Sequence, residues 1–252
     1  MRTVEKVTVI VRKFSEQAEW GVSELARAID TDKAIVHRIL KTLMREQWVQ
    51  QNGVNRRYIL GPALLELGAS RVTRSELLYA AEPVVTELAR RLDETVMLCG
   101  RHENFNVVEL IREGTKDVRV VSALGRRIPL HCGAAGKVLV AFDHPSVCER
   151  LLASELTMYT PKTITDPDEL MKRFAHIRER GWSFEDEEFS TGVSGIAAPV
   201  WGNGGRIEAS ICVRAPSSRL NESKAQRIAP LVVDAAMQIS AVLGHRPSAV
   251  AG

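Results

Sequence analysis

The chain has 252 residues, of which 45% are hydrophobic, so it is long enough for two modest domains or one large one with real cores. No apolar run approaches the roughly 20 residues of a membrane span, and the short run V-T-V-I-V near the N-terminus has the wrong flanks for a signal peptide. The net charge is only +3, so any surface that binds nucleic acid must be local.

Positive charge is concentrated towards the N-terminus. Residues 1–60 hold 11 Lys and Arg against 7 Asp and Glu, whereas the remainder is close to neutral. A basic N-terminal segment is typical of a small DNA-binding module, although ordinary surface variation would give the same count. The four cysteines are far apart and form no C-x-x-C pair, which predicts free thiols in a reducing cytoplasm.

Three helices are predicted in the first 45 residues. Residues 3–15 place apolar side chains at spacings of three and four, and a second helix is expected to begin after Ser23 as its N-cap. A third is expected to start near Lys33, with Asp32 as its N-cap, because a carboxylate can accept from the unpaired N–H groups of the first helical turn.

The third predicted helix has a hydrophobic face and a basic face. At about 100° per residue, four apolar side chains fall on one side: Val36, Ile39, Leu40 and Leu43. The opposite side is basic with one small residue: Lys33, Ala34, His37, Arg38, Lys41 and Arg45. A helix in the major groove needs such a face, because cations contact phosphates and forked side chains reach base edges. The alternative is an ordinary amphipathic surface helix, whose polar face usually mixes both signs of charge.

A β-hairpin is predicted directly after this helix. Asn52-Gly53 is a strong turn signal between two runs that can form strands. A hairpin here is the wing of a winged helix-turn-helix, and Arg56 and Arg57 on its returning strand could contact phosphate or enter the minor groove. Residues 1–60 are therefore predicted to be a winged helix-turn-helix DNA-binding domain.

These residues resemble the IclR-type transcriptional regulators. The family signature reads roughly S-x-x-E-L-A-x-x-x-G-L-P-K-S-T-V-H-R-L-L-x-T-L, and this chain has V-S-E-L-A-R-A-I-D-T-D-K-A-I-V-H-R-I-L-K-T-L. The residues 30–32, D-T-D, replace G-L-P, and Ala34 and Ile35 replace a Ser and a Thr whose hydroxyls usually reach DNA. Their loss implies an altered operator preference or apolar contact with thymine methyl groups. The expected DNA-binding residues are Lys33, Ala34, Ile35, His37, Arg38, Lys41, Arg45, Arg56 and Arg57.

The resemblance also implies partners: a pseudo-palindromic double-stranded operator and a second copy of the chain, as a homodimer or a tetramer. Residues 61–74 would be the linker helix that helps to pair two subunits, although a plain connecting helix fits the same sequence. Repression and activation both remain open.

Residues 75–252 are predicted to form a second domain of helices around a mostly antiparallel sheet. A first helix over 75–92 is expected to break or kink at Pro83. Strands are expected at 95–101, 106–114 and 118–123, and two more joined by N-G-G; helices are expected at 133–143, before Gly181 and over 221–243. The fold class is therefore α+β, and the resemblance implies a GAF-like α/β effector domain.

Residues 128–142 read I-P-L-H-C-G-A-A-G-K-V-L-V-A-F and resemble a phosphate-binding loop. A P-loop would need Gly where the chain has His131, and Ser or Thr where it has Val138, which excludes a P-loop nucleoside triphosphatase. Small residues before a helix still expose backbone N–H groups to an anion. Close packing alone would also explain them.

The second domain matches the family in I-P-L-H-x-G-A-A-G-K, I-R-x-x-G-W-x-x-x-x-E-E and G-x-x-x-I-A-A-P-V. The family implies a pocket for a small organic acid effector. By resemblance, it would be lined by Val120, Ile128, Ala134, Ala135, Glu185, Val193, Gly195, Cys212 and Arg214. Related proteins often have small hydroxylated residues at the last two positions. The Arg214 guanidinium could pair with an effector carboxylate, or with Glu185 on a neighbouring strand.

The alternative function is a metabolite-binding enzyme with an N-terminal helical appendage. The acidic run Glu185–Glu188 could suggest a metal site, but no H-x-x-x-H or H-E-x-x-H pattern accompanies it. Ser194 lacks the spacing of a nucleophile elbow, and the neighbours His131 and Cys132 would point apart on a strand. We therefore expect no catalytic residues, no metal, no cofactor and no membrane contact.

Overall fold

The computed structural model describes residues 3–73 and 75–245, which form two compact units divided between Ser75 and Glu76. The first unit contains three helices, a two-stranded hairpin and a fourth helix. These are α1 (Thr3–Lys13), α2 (Val22–Ala28), α3 (Lys33–Arg45), β1 (Val49–Gln51), β2 (Tyr58–Leu60) and α4 (Pro62–Thr73).

The N-terminal unit packs α1, α2 and α3 around one apolar core, in which Ile10, Leu25, Val36 and Leu40 are completely buried. Asp32 caps α3 as predicted, since its Oδ1 accepts a hydrogen bond from the Ala34 N–H at 2.6 Å. The predicted N-cap of α2 was wrong. Its N-cap is Gly21, because the side chain of Glu24 reaches back to accept the Gly21 N–H at 3.1 Å.

The hairpin of β1 and β2 is antiparallel, and it is fastened to the segment before α2. Trp20 and Tyr58 exchange two backbone hydrogen bonds, of 2.9 and 2.8 Å. The Trp20 indole also donates to the Lys13 carbonyl at 2.9 Å. The predicted wing is therefore present and tied to the helical part of its own unit.

The second unit is a six-stranded antiparallel sheet with helices on both faces. Its elements are α5 (Glu76–Leu92), β3 (Thr95–His102), β4 (Phe105–Arg112), β5 (Arg127–Pro129), α6 (Gly133–Ala141), α7 (Pro145–Leu152), α8 (Pro167–Arg180), β6 (Ser183–Asp186), β7 (Val193–Trp201), β8 (Ile207–Pro216) and α9 (Glu222–Val242). The strand order is β5-β4-β3-β8-β7-β6. Helices α5 and α9 cover one face, and α6 and α8 cover the other. The α+β class predicted from the sequence is confirmed.

Several boundaries differ from the prediction. Residues 118–123 form no strand, because β4 pairs instead with the short β5. The carbonyls of Val118 and of the buried Val120 accept side-chain hydrogen bonds, from Arg219 Nη2 at 2.8 Å and from Thr95 Oγ1 at 2.5 Å. Helix α5 continues through Pro83 without a break. Strands β5 and β6 and helix α7 were not predicted. Among the described residues, none of the helices is both long enough and apolar enough to cross a bilayer.

Helix α6 is buried from Ala134 to Ala141, and this stretch includes the charged Lys137, which is fully inaccessible. Its Nζ forms an ion pair with both carboxylate oxygens of Glu188, whose side chain is also buried. The Glu188 carbonyl accepts from the Thr163 hydroxyl at 2.7 Å. A buried ammonium is tolerated only when it is paired and hydrogen-bonded, so this contact fixes α6 against the turn after β6.

We predict that Lys137→Met lowers the free energy of unfolding of the second unit by about 3–5 kcal/mol, because it leaves the Glu188 carboxylate buried without its cation. Chemical denaturation of the full chain measures this. The double variant Lys137→Met/Glu188→Gln should recover a large part of the loss. Equal stabilities for the wild type and the single variant would contradict this account.

Candidate nucleic-acid interface and ligand cleft

The basic face of α3 is exposed along its whole length. Six of the residues predicted to contact DNA are exposed there: Lys33, Ala34, His37, Arg38, Lys41 and Arg45. Ile35 is half-buried and packs against the edge of the core. Within the described part of the chain, none of these cations forms an ion pair. The cations are therefore free to meet an external anion such as a phosphate.

The wing presents its two arginines differently. Arg56 is exposed at the turn, with a left-handed φ of 56°. Arg57 is half-buried, and its Nη1 and Nη2 donate to the carboxylate of Glu24 at 3.1 and 2.5 Å. Its Nη2 also donates to the Glu19 carbonyl at 3.1 Å. The same Glu19 accepts from the Asn52 side chain at 2.8 Å, so Arg57 and the turn amides hold the wing against the start of α2.

A narrow cleft with a free volume of about 10 Å³, roughly the space of one water molecule, lies between the start of α6 and one face of the sheet. Six of the nine residues predicted for an effector pocket line it: Ile128, Ala134, Ala135, Glu185, Cys212 and Arg214. Five further lining residues were not predicted: Met97, Asn106, Cys132, Gly133 and Phe189. An inward polar residue among the valines of β4 was the available sequence signal for Asn106, whereas Phe189 lies in the turn after β6 and had none.

The other three predicted residues, Val120, Val193 and Gly195, lie outside the lining. The Val120 carbonyl accepts a hydrogen bond from the Thr95 hydroxyl. Val193 begins β7 opposite Pro216, two residues before Gly195. Gly195 lies in register between Glu185 on β6 and Arg214 on β8, and a Cβ there would come within 3.3 Å of Glu185 Oε1.

Glu185 and Arg214 form a buried, loosely spaced ion pair across Gly195. Glu185 Oε1 is 3.9 Å from Arg214 Nη2, and the two side chains are 1% and 6% exposed. Glu185 Oε2 accepts the Glu188 N–H at 2.9 Å. Burial raises the pKa of Glu185 to about 7, against the opposing attraction of Arg214. This carboxyl therefore exchanges its proton near neutral pH.

Two groups in the cleft have unused hydrogen-bonding capacity. The N-cap of α6, Cys132, makes no side-chain capping bond to the first-turn N–H groups, and the Ala135 N–H of that turn is directed at the Cys212 sulfur. Asn106 is 1% exposed, and its Oδ1 has no partner among the described residues. An anion at the start of α6 would be favoured by these N–H groups and by the helix dipole.

The cysteines and the acidic run show no catalytic arrangement. Burial raises the pKa values of Cys132 and Cys212 to about 12, so both thiols remain protonated at neutral pH. The His131 ring bonds to the Thr157 carbonyl at 2.9 Å rather than to Cys132. In the described ranges, no cluster of three or more metal-ligating side chains occurs, and Asp186 pairs with Lys162 at 2.7 Å.

Titration of Glu185 should make stability depend on pH. Its pKa is raised from the ordinary 4.5 to about 7, so the folded chain holds a proton that the unfolded chain releases. Stability is therefore lost as pH rises from 4.5 towards 7, by about 3 kcal/mol at most.

We predict that Glu185→Gln removes this loss. Thermal unfolding at pH 5 and pH 8 should show a smaller fall in the midpoint for the variant than for the wild type. Glu149→Gln makes the same change at an exposed site and should behave as the wild type. A wild-type pH dependence retained in Glu185→Gln would show that another group carries it.

Comparisons with known proteins agree with this geometry. The family model "IclR helix-turn-helix domain" matches residues 3–53, and "Bacterial transcriptional regulator IclR C-terminal" matches residues 69–241. The HTH-type transcriptional regulator XynR of Escherichia coli is 31% identical over 250 residues, which cover 97% of this chain and 98% of that protein.

Two solved structures share the fold. An IclR transcriptional regulator from Alicyclobacillus acidocaldarius has a TM-score of 0.86 at 26% identity, with 96% of this chain and 98% of that one covered. An IclR homologue from Microbacterium hydrocarbonoxydans, complexed with 4-hydroxybenzoate, has a TM-score of 0.83 at 22% identity, with coverage of 96% and 99%. The two matched family models together span most of the chain, which therefore belongs to the IclR family of helix-turn-helix transcriptional regulators.

Proposed function

We propose that this transcriptional regulator binds a pseudo-palindromic double-stranded operator through α3 and the wing, and that a small organic acid bound in the cleft modulates this binding. The observation that carries the effector role is the buried Arg214 in the same cleft as the uncapped start of α6. The exposed, unpaired cations of α3 support the DNA-binding role.

In this proposal, α3 lies in the major groove with its N-terminal residues at the base edges. Ala34 and Ile35 offer apolar contacts to thymine methyl groups, and Arg38 offers a forked donor to a base or a phosphate. The remaining cations, Lys33, His37, Lys41 and Arg45, contact the backbone. From the wing, Arg56 contacts the phosphates, while Arg57 is assigned to holding the wing in place because Glu24 already occupies its guanidinium.

The organic acid class follows from the charges in the cleft. A carboxylate matches both a guanidinium and a set of helix N-terminal N–H groups. The Microbacterium neighbour was solved with 4-hydroxybenzoate, which carries a carboxylate, and this supports the same class of ligand here. The apolar lining of Met97 and Ile128 would contact the carbon skeleton of the acid.

The domain roles are part of the same proposal. Residues 1–60 bind the operator, and residues 61–74 form the linker between the two domains. Residues 75–252 bind the effector and assemble the chain as a homodimer or tetramer in the cytoplasm. Exposed leucines on and before α4, Leu60, Leu65 and Leu67, are consistent with a pairing role for the linker. Effector binding would favour one arrangement of subunits through linkage between two sites. A regulator is favoured over an enzyme because the cleft thiols are protonated and, in the ranges that the structure describes, no catalytic constellation accompanies them.

We predict that Arg38→Ala weakens operator binding by about 1–3 kcal/mol, because it removes a forked donor from the groove-facing surface. Fluorescence anisotropy with promoter DNA of the encoding gene measures this at fixed salt. Arg27→Ala, an exposed arginine on α2, is the matched control. Unchanged affinity in Arg38→Ala would remove Arg38 from the interface.

We predict that Arg214→Ala abolishes the response of operator binding to organic acids, while DNA binding without effector persists. The measurement is a titration of acids into the protein–DNA complex. Arg214→Ala also leaves Glu185 without its cation, so Arg214→Ala/Glu185→Gln is the control for loss of folding. A normal dose response in these variants would exclude Arg214 as the carboxylate-binding group.

A further inference from the structure

Arg126 lies beside the cleft without being one of its direct lining residues. It precedes β5 by one residue, and its carbonyl continues the pairing with β4 by accepting the Val108 N–H at 3.0 Å. Side chains alternate along an extended chain, so Arg126 projects to the same side as Ile128, which lines the cleft. Its guanidinium carbon is 5.5 Å from the ring centroid of Phe189, another lining residue.

Arg126 has no carboxylate partner among the described residues. Two other partly buried arginines of this unit are paired, Arg101 with Asp143 at 2.6 Å and Arg219 with Glu94 at 2.6 Å, whereas Arg173 and Arg180 form no ion pair among the described residues. In the part of the chain that the structure describes, no carboxylate lies within 4.0 Å of Arg126, although it is half-buried. A guanidinium withdrawn from water and stacked only on a ring retains most of its donor capacity.

The charges around the cleft are also unbalanced. Lys137 and Glu188 form an ion pair with each other, so among the described charged residues at the cleft Arg126 and Arg214 face one carboxyl group, that of Glu185. Burial and, to a smaller extent, repulsion from the positive charge of Arg214 lower the pKa of Arg126. An anionic ligand between them would relieve that repulsion, and with Glu185 protonated a dianion balances the two arginines.

We propose that Arg126 is a second anion-binding residue of the effector cleft, and that the effector is therefore a dicarboxylic acid, with one carboxylate at Arg214 and the α6 N-terminus and the other at Arg126. This inference rests on the proposed function, since it assumes that the cleft binds an organic acid. The carbon chain between the two carboxylates lies against Phe189 and Met97.

The test compares pairs of acids of equal chain length, namely succinate with butyrate and glutarate with valerate. Binding to the full chain is measured by calorimetry and by the shift in melting temperature. The wild type should bind each dicarboxylate at least about tenfold more tightly than its partner, equivalent to about 1.4 kcal/mol. In Arg126→Gln this preference should disappear while the affinity for the monocarboxylates is retained.

Arg127→Gln is the matched control. Arg127 is the next residue, carries the same charge, and is exposed over the ring of Phe105, 4.5 Å from its centroid, rather than over Phe189. It should keep the wild-type preference. Without ligand, Arg126→Gln should melt no lower than the wild type, because it removes a repulsion with Arg214.

Four outcomes overturn the inference. Equal affinity of the wild type for both members of each pair excludes a second carboxylate site. Equal losses in Arg126→Gln and Arg127→Gln exclude a specific role for Arg126. If Arg126→Gln binds neither class of acid and also melts at a lower temperature, Arg126 has a structural role instead. If no acid of either class binds the wild type, the proposed effector function fails first, and the inference fails with it.

Discussion

The ion pair between Lys137 and Glu188 is the contact on which the ligand cleft depends. Removing two charges from water is costly, and the cost is offset only when they meet with good geometry and further hydrogen bonds. Here the pair fixes the turn after β6 against α6, and the backbone N–H of Glu188 in that turn holds the Glu185 carboxylate. The uncapped start of α6 and the Glu185–Arg214 pair are thereby kept on opposite walls of one small space.

In the N-terminal unit, the charged side chains that hold the wing are separate from the basic face of α3. Two carboxylates hold the wing, where Glu19 and Glu24 accept from Arg57 and the turn amides. The hydrogen bond from Arg57 lowers the pKa of Glu24, so this contact persists at neutral pH. Among the described residues, the cations on the basic face of α3 form no ion pairs. The separation matters because a cation that is already paired inside the protein attracts a phosphate only weakly.

Local signals in the sequence predicted the elements whose causes are local. The two faces of α3, the Asp32 cap, the N-G-G hairpin and the end of α8 at Gly181, with its φ of 80°, depend on neighbouring residues and were predicted correctly. One missed feature, the Gly21 N-cap of α2, is local, but others depend on partners distant in the chain. Glu24 and Arg57 are 33 residues apart, and Lys137 and Glu188 are 51 apart, so no spacing rule connects them.

The difference between local and distant contacts also explains which residues of the cleft were predicted. The resemblance to the family carried over the residues at its centre, but strand order decides which others join them. Asn106 becomes a wall residue because β4 pairs with β5 opposite Ile128, and residues 118–123, with their strand-like sequence, stay outside the sheet. Neither β4–β5 pairing nor its register can be read from alternation alone, since both β5 and the 118–123 segment offered a partner for β4.

The proposed effector can change this unit only through contacts that differ between the empty and the bound cleft. A carboxylate that pairs with Arg214 weakens the attraction that partly counters the high pKa of Glu185, so the bound state favours the protonated form. Protonated Glu185 can donate as well as accept, while its other oxygen still receives the Glu188 N–H. A change at the ligand would therefore reach the turn after β6, and through Glu188 and Lys137 it would reach α6. In this scheme, binding of the acid and protonation of Glu185 favour each other. The ion pair between Glu188 and Lys137 connects this change to α6.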